Sequence, residues 1–300
     1  MEIRYYGRHE PLLDLDLIKN SEHLIEKILV KSEFIDKTIL YITEDIAYTI
    51  SYIEDTEAVY TIERGTGQAV GVTIKYKDIV YIILNEMFFI QNDGSALQLL
   101  RHELLHANLQ HQKQSFFNLN VKKYFQEPCT YNLTPIAARL IEEYIAQSSC
   151  QNFNSPFLES SSEEIKQVFE SFNINLVKIC EEYEADPQQG FAETLNRVKI
   201  LWTKIAYLMA NVKKDNFIIP VSITNLPNWN LYMSNNWQEL ESIFKKIVVS
   251  DTLVREEYIP LIEELTAFLI KWCNAIGIKL ENNPDGTIFF GLPIYLTLKE

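Results

Sequence analysis

Glycine is scarce in this chain, 9 residues in 300, against roughly 7% in average usage. Few tight turns and a large helical share are therefore expected. The four cysteines, at positions 129, 150, 180 and 273, include no C-x-x-C pair, which excludes a zinc ribbon and a thioredoxin-type dithiol and leaves buried reduced thiols as the plain expectation. Positive charge is in deficit: 27 lysines and arginines face 41 aspartates and glutamates, a net −14. A field of that sign opposes a phosphate backbone or an anionic surface, so nucleic acid is not an expected partner. No long apolar run exists. The stretches Ile79–Leu84 and Met87–Ile90 are split by Asn85 and Glu86, and neither approaches the ~20 residues of a membrane span. The opening residues through Arg8 and His9 turn polar at once, so no cleavable secretory signal is expected. The location expected from this is the cytoplasm, or export by a route that removes no leader.

Apolar residues at 47% and charged residues at 23% suit a compact fold that needs no disulfide or metal as a staple. Leu15, Leu17, Ile18, Leu24, Ile25, Ile28 and Leu29 recur at near-helical spacing and predict a helix over 14–31. Between 38 and 90 the texture turns to Ile, Val, Tyr and Thr, and strands are expected at 47–53, 58–63, 71–76 and 78–84. The short links between them favour a mostly antiparallel, meander-like sheet. From Ser95 the pattern is helical, with Gln98 three residues on as a helix-start signature. Further helices are expected near 163–184, 188–213, 236–249 and 252–276, and Gly286–Gly291 reads as a returning strand. The fold class is α+β: residues 1–113 form a sheet-containing part ending in one special helix, and 114–300 a mainly helical part.

Three of only five histidines fall within ten residues, in Arg101-His102-Glu103-Leu104-Leu105-His106-Ala107-Asn108-Leu109-Gln110-His111. On a helix His102 and His106 lie about 40° apart around the axis and one turn along it, so both rings reach one metal ion. Glu103 stands about 60° from His106, where a carboxylate can take a proton from a metal-activated water without itself ligating. That is the H-E-x-x-H arrangement of zinc peptidases, with Zn2+ as the implied cofactor. His111, about 140° from His106, points elsewhere. The metzincin register would need Gly at Leu109 and His at Gln112, and a deformylase-like site would need a cysteine upstream of Cys129. What remains is a carboxylate from a second helix. Glu143 is the favoured third ligand, in a helical pattern after Thr134-Pro135 with the small Ala146 one turn later. Glu142 is the alternative, and whichever of the two does not face the metal is expected to be solvated. Glu182 is a rival, although Asp186-Pro187 just beyond it reads as the cap of a following helix.

The run His102-Glu103-Leu104-Leu105-His106-Ala107, with the Glu142-Glu143 pair 36–37 residues after the second histidine, resembles the gluzincin class of zinc metallopeptidases. The wording and the Glu-Glu spacing are similar to clostridial neurotoxin light chains, and the wording also to effector proteases injected by Gram-negative bacteria. The similarity covers residues 78–147. It implies a zincin-like fold and an endopeptidase acting on a protein or peptide substrate, with His102, His106 and a glutamate holding zinc and Glu103 as base; a secreted effector or toxin-like role goes with it. The chain departs from the class in having Ala146 and Gln147 where several gluzincins place an aspartate four residues after the ligand glutamate. Neurotoxin light chains also use a downstream Arg and Tyr, for which Arg255 and Tyr258 are the pair available here. Two other readings stand beside the peptidase: a non-catalytic, zinc-stabilised binding or regulatory protein, and an acidic scaffold without metal.

Overall fold

The structure, a computed structural model, describes residues 2–9, 13–29, 31–56, 63–64, 67–68, 70–91, 95–150, 162–182, 186–213, 216–250 and 252–292. It is mixed α/β, mostly helical, with a small sheet near the N-terminus. The chain divides into two compact units, Met1–Ser115 with Ile145–Glu159 and Val249–Leu253, and Phe116–Tyr144 with Ser160–Val248 and Val254–Glu300.

The first unit runs β1 (Glu2–Tyr6), α1 (Leu15–Ile28), β2 (Thr38–Thr43), α2 (Ile46–Glu54), β3 (Gly71–Tyr76), β4 (Ile79–Asn85) and α3 (Ser95–His111). Its four-stranded sheet has the order β1-β2-β4-β3. The expected antiparallel meander is corrected here: β1, β2 and β4 are mutually parallel, and only β3 with β4 forms a hairpin. The reason is that residues 47–53, expected as a strand, fold as helix α2. Ile46, Ile50 and Ile53 are buried on one stripe with Thr49, a period of 3–4 that the β-branched composition hid. Asp45 accepts the amide of Tyr48 as the N-cap, and Asp55 closes the helix at φ 51°. A helix between two strands is what lets them run parallel. Of the expected strand 58–63, all but Glu63 lies outside the described residues.

Strand alternation sorts the two faces of the sheet. Leu40, Ile42, Val80, Ile82 and Leu84 face a core shared with α1 and α3, while Ile39, Tyr41 and Ile83 face α2. Leu100 and Leu104 of α3 are fully buried in the first core, each contributing about 1.5–3 kcal/mol of transfer free energy. They fix the helix against β3 and β4. Strand β4 is internal to the sheet, and the edge beside α3 is β3.

The second unit contains α5 (Ser162–Glu182), α6 (Pro187–Val212), α7 (Trp237–Phe244) and α8 (Ile259–Ala275), and an antiparallel ribbon of β5 (Lys279–Asn282) and β6 (Ile288–Gly291). Its core is aromatic: the Trp202 ring lies 5.0 Å from Trp272 and 5.4 Å from Phe268. Asp186 caps α6 by accepting the amides of Gln188 and Gln189. Two helices are shorter than their patterns: α7 ends at Phe244, and α8 follows a 3-10 turn, Arg255–Tyr258, because Pro260 favours the first helical turn.

Helix α4 (Pro128–Ser149) runs through both units, its last turn from Ile145 belonging to the first. Pro135, expected to open this helix, lies inside it. Thr134, one residue before it, turns its hydroxyl back onto the Thr130 carbonyl at 2.6 Å. No described helix is long and apolar enough to cross a membrane. The four thiols are free, three of them buried, and burial pushes Cys150 and Cys273 up to about 12.

Candidate metal centre

Residues 102–110 of α3 are all buried, and they include His102, Glu103, His106, Asn108 and Gln110. Burying that many polar side chains on one helix is costly unless each has a partner or a task. The helical spacing brings the two imidazoles together. Their Nε2 atoms stand 3.3 Å apart, with ring centroids at 5.0 Å and planes inclined by 66°. His102, His106 and Glu143 each offer one donor atom, and these atoms all lie within 4.8 Å of one another. All three side chains are buried. Two imidazole nitrogens and a carboxylate oxygen at this spacing could hold a metal ion.

The neighbouring glutamates of α4 are separated by helical geometry, since adjacent side chains diverge by about 100°. Glu142 was expected to be solvated if it was not the ligand. Instead it is fully buried, and Oε2 accepts the amide of Phe116 at 2.6 Å. That amide opens the 3-10 turn Phe116–Asn118, where a carboxylate satisfies a donor the turn leaves unpaired. Glu143 accepts at both oxygens: Arg139 Nη2 lies 3.1 Å from Oε1, and Tyr207 donates its hydroxyl to Oε2 at 2.7 Å. Ala146 is fully buried one turn on.

Glu103 is 1% exposed. Thr73 Oγ1, on β3, lies 2.8 Å from its Oε2 and 3.0 Å from its backbone carbonyl. Its other oxygen, Oε1, is buried with no hydrogen-bond partner among the described residues. Gly71 of the same strand faces that oxygen: a Cβ there would sit 3.2 Å from Glu103 Oε1 and 3.0 Å from Leu84 and Leu99 methyls. The close approach of strand to helix therefore favours glycine, since an added Cβ would force these side chains to give way by a few tenths of an ångström.

Among the described residues, neither Glu182 nor His111 is grouped with the trio. Glu182 is 69% exposed and 4.0 Å from Lys178. His111 stacks on Phe34 at 4.8 Å, and its Nε2 lies 2.8 Å from Thr38 Oγ1. Burial, with Lys75 and Lys37 nearby, depresses this imidazole to about 4. Tyr258 donates to the Val248 carbonyl at 2.7 Å, and Arg255 lies 3.5 Å from the Asn118 carbonyl. A second grouping of donors, His9, Glu44 and Glu86, satisfies itself: buried Glu86 accepts from Tyr5 and lies 2.6 Å from His9 Nδ1. Although burial raises the Glu86 pKa, those bonds hold it below its ordinary value.

Thr73, Gly71 and Tyr207 were not singled out from the sequence. Arg139 had a readable signal, standing four residues before Glu143 on one helix, whereas nothing in local spacing ties Tyr207 to Glu143. No protein-family model, no curated protein and no solved structure matches the chain.

Proposed function

We propose that this chain is a zinc-dependent endopeptidase of the gluzincin kind, with a zincin-like arrangement of sheet and active-site helix. The observation that carries the proposal is the buried Glu103, whose Oε1 lacks a hydrogen-bond partner beside two imidazoles that converge on one point. A carboxylate kept dry and half-satisfied suits a group that must accept and release a proton. His102, His106 and Glu143 would hold the ion, and a two-nitrogen, one-oxygen donor set suits zinc better than magnesium or calcium. When bound, the ion supplies Lewis-acid polarisation of a peptide carbonyl and makes a water acidic near neutral pH.

The protein's own groups do the rest. Thr73 fixes the Glu103 carboxylate through Oε2 and leaves Oε1 to take the proton of the attacking water. The same oxygen then returns that proton to the leaving amine. The outer edge of β3, the strand that carries Thr73 and Gly71, offers main-chain hydrogen bonds to an extended peptide. Three donors rather than four are grouped here among the described residues, which favours a catalytic over a closed structural zinc site.

The test pairs zinc quantification with proteome-wide cleavage profiling. Wild type and Glu103→Gln are expected to carry equal zinc, with cleavage falling about 10²- to 10⁴-fold in the variant. Cleavage undiminished in Glu103→Gln, or wild type that takes up no zinc, overturns the proposal.

A further inference from the structure

Resting on that reading, we infer that Tyr207 is a positioning residue that holds Glu143 as the third metal ligand and thereby sets the affinity for the ion. Glu142 and Glu143 are chemically identical, adjacent and both buried, so the helix alone does not decide which carboxylate serves. Their partners do. Glu142 is tied to the Phe116 amide at 2.6 Å. Glu143 is held from two directions, by Arg139 one turn back on its own helix at 3.1 Å and by the Tyr207 hydroxyl from α6 at 2.7 Å.

The two holders differ in strength. The Arg139 side chain is 32% exposed, and its guanidinium also lies over the Phe117 ring, 4.9 Å from the centroid, so solvent screens its pull. The Tyr207 bond is shorter and dry, the residue being 8% exposed. Both holders are hydrogen-bond donors, and each carboxylate oxygen has two lone-pair positions. Arg139 at Oε1 and Tyr207 at Oε2 hold the carboxylate in one orientation. Fixing the rotamer beforehand removes an ordering cost from metal binding.

Packing does not explain the hydroxyl. Ile205, Ala206, Leu208, Met209 and Ala210 around it on α6 are apolar and at most 1% exposed. A phenylalanine would fill nearly the same volume but lack the O–H that Tyr207 donates to Glu143.

The experiment titrates zinc into metal-free wild type and Tyr207→Phe against a chelator of known affinity, repeats both in a Glu143→Ala background, and records the thermal midpoint of each metal-free protein. Tyr207→Phe is expected to bind zinc about 10- to 100-fold more weakly, and that loss is expected to vanish when Glu143 is already alanine. Three results overturn the inference: unchanged zinc affinity with a lowered metal-free midpoint, which marks a structural bond; unchanged affinity with lost turnover, which marks a hydroxyl acting on substrate; and a loss that persists without Glu143. Wild type that takes up no zinc overturns the metal reading and this inference together, whereas equal zinc affinity in both proteins overturns this inference alone.

Discussion

The middle of α3 and its last residue carry the same side chain in opposite situations. His102 and His106 face each other with their Nε2 atoms 3.3 Å apart. His111 is stacked on Phe34 and lies 2.8 Å from the Thr38 hydroxyl. Five residues of separation rather than four turn a ring about 140° around the axis, and that rotation moves it from the point where the other two rings meet to the side that faces Phe34 and Thr38. Residue type therefore says little about role; angular position against a named neighbour says most of it.

The largest expected effect breaks this comparison directly. His102→Ala or His106→Ala should reduce zinc uptake to background by elemental analysis, while His111→Ala should keep full uptake. Loss of zinc in the His111 variant with the fold intact by circular dichroism would show that the angular argument misassigns the rings. The glutamate pair sharpens the same contrast. Glu142→Ala removes the acceptor of a buried amide and should cost about 1–3 kcal/mol of stability without loss of zinc. Glu142→Gln keeps an acceptor oxygen and should cost less than half of that. Denaturant midpoints of the two variants, with their zinc contents, decide whether Glu142 is structural.

These contrasts also mark how far the sequence could be read. The convergence of His102 and His106 was legible because helical periodicity fixes directions within one element. The parallel sheet was not, because Ile46, Thr49, Ile50 and Ile53 are β-branched residues that suit a strand by composition and a buried helix stripe by position. Nor was the burial of Glu142, since its partner Phe116 lies 26 residues away. The same holds for Thr73, 30 residues from Glu103, and Tyr207, 64 residues from Glu143. Contacts of that separation are set by tertiary packing, which no local pattern encodes.

Gly71 tests the approach of β3 to α3 by a smaller amount. An added methyl would press on Leu84 and Leu99 at 3.0 Å and on Glu103 Oε1 at 3.2 Å. Gly71→Ala is expected to destabilise by about 1–3 kcal/mol through overpacking and to lower turnover while zinc content holds. Unaltered stability and turnover would show that the strand yields freely and that Glu103 is not braced by it.

The smallest effect belongs to His111. Its imidazole titrates at about 4 in the folded protein because burial, with Lys75 and Lys37 beside it, disfavours the charged form. In the unfolded chain it titrates near 6.5. Below pH 6.5 the unfolded state binds a proton that the folded state refuses, so stability falls on acidification and the contribution levels off near pH 4. The slope from this one group is at most about 1.4 kcal/mol per pH unit, and partial exposure of the ring reduces it further. His111→Phe keeps the stack on Phe34 and removes the proton site. Its thermal midpoint should fall less steeply than that of wild type between pH 6.5 and 4, and parallel curves would show that the imidazole is protonated in the folded state after all.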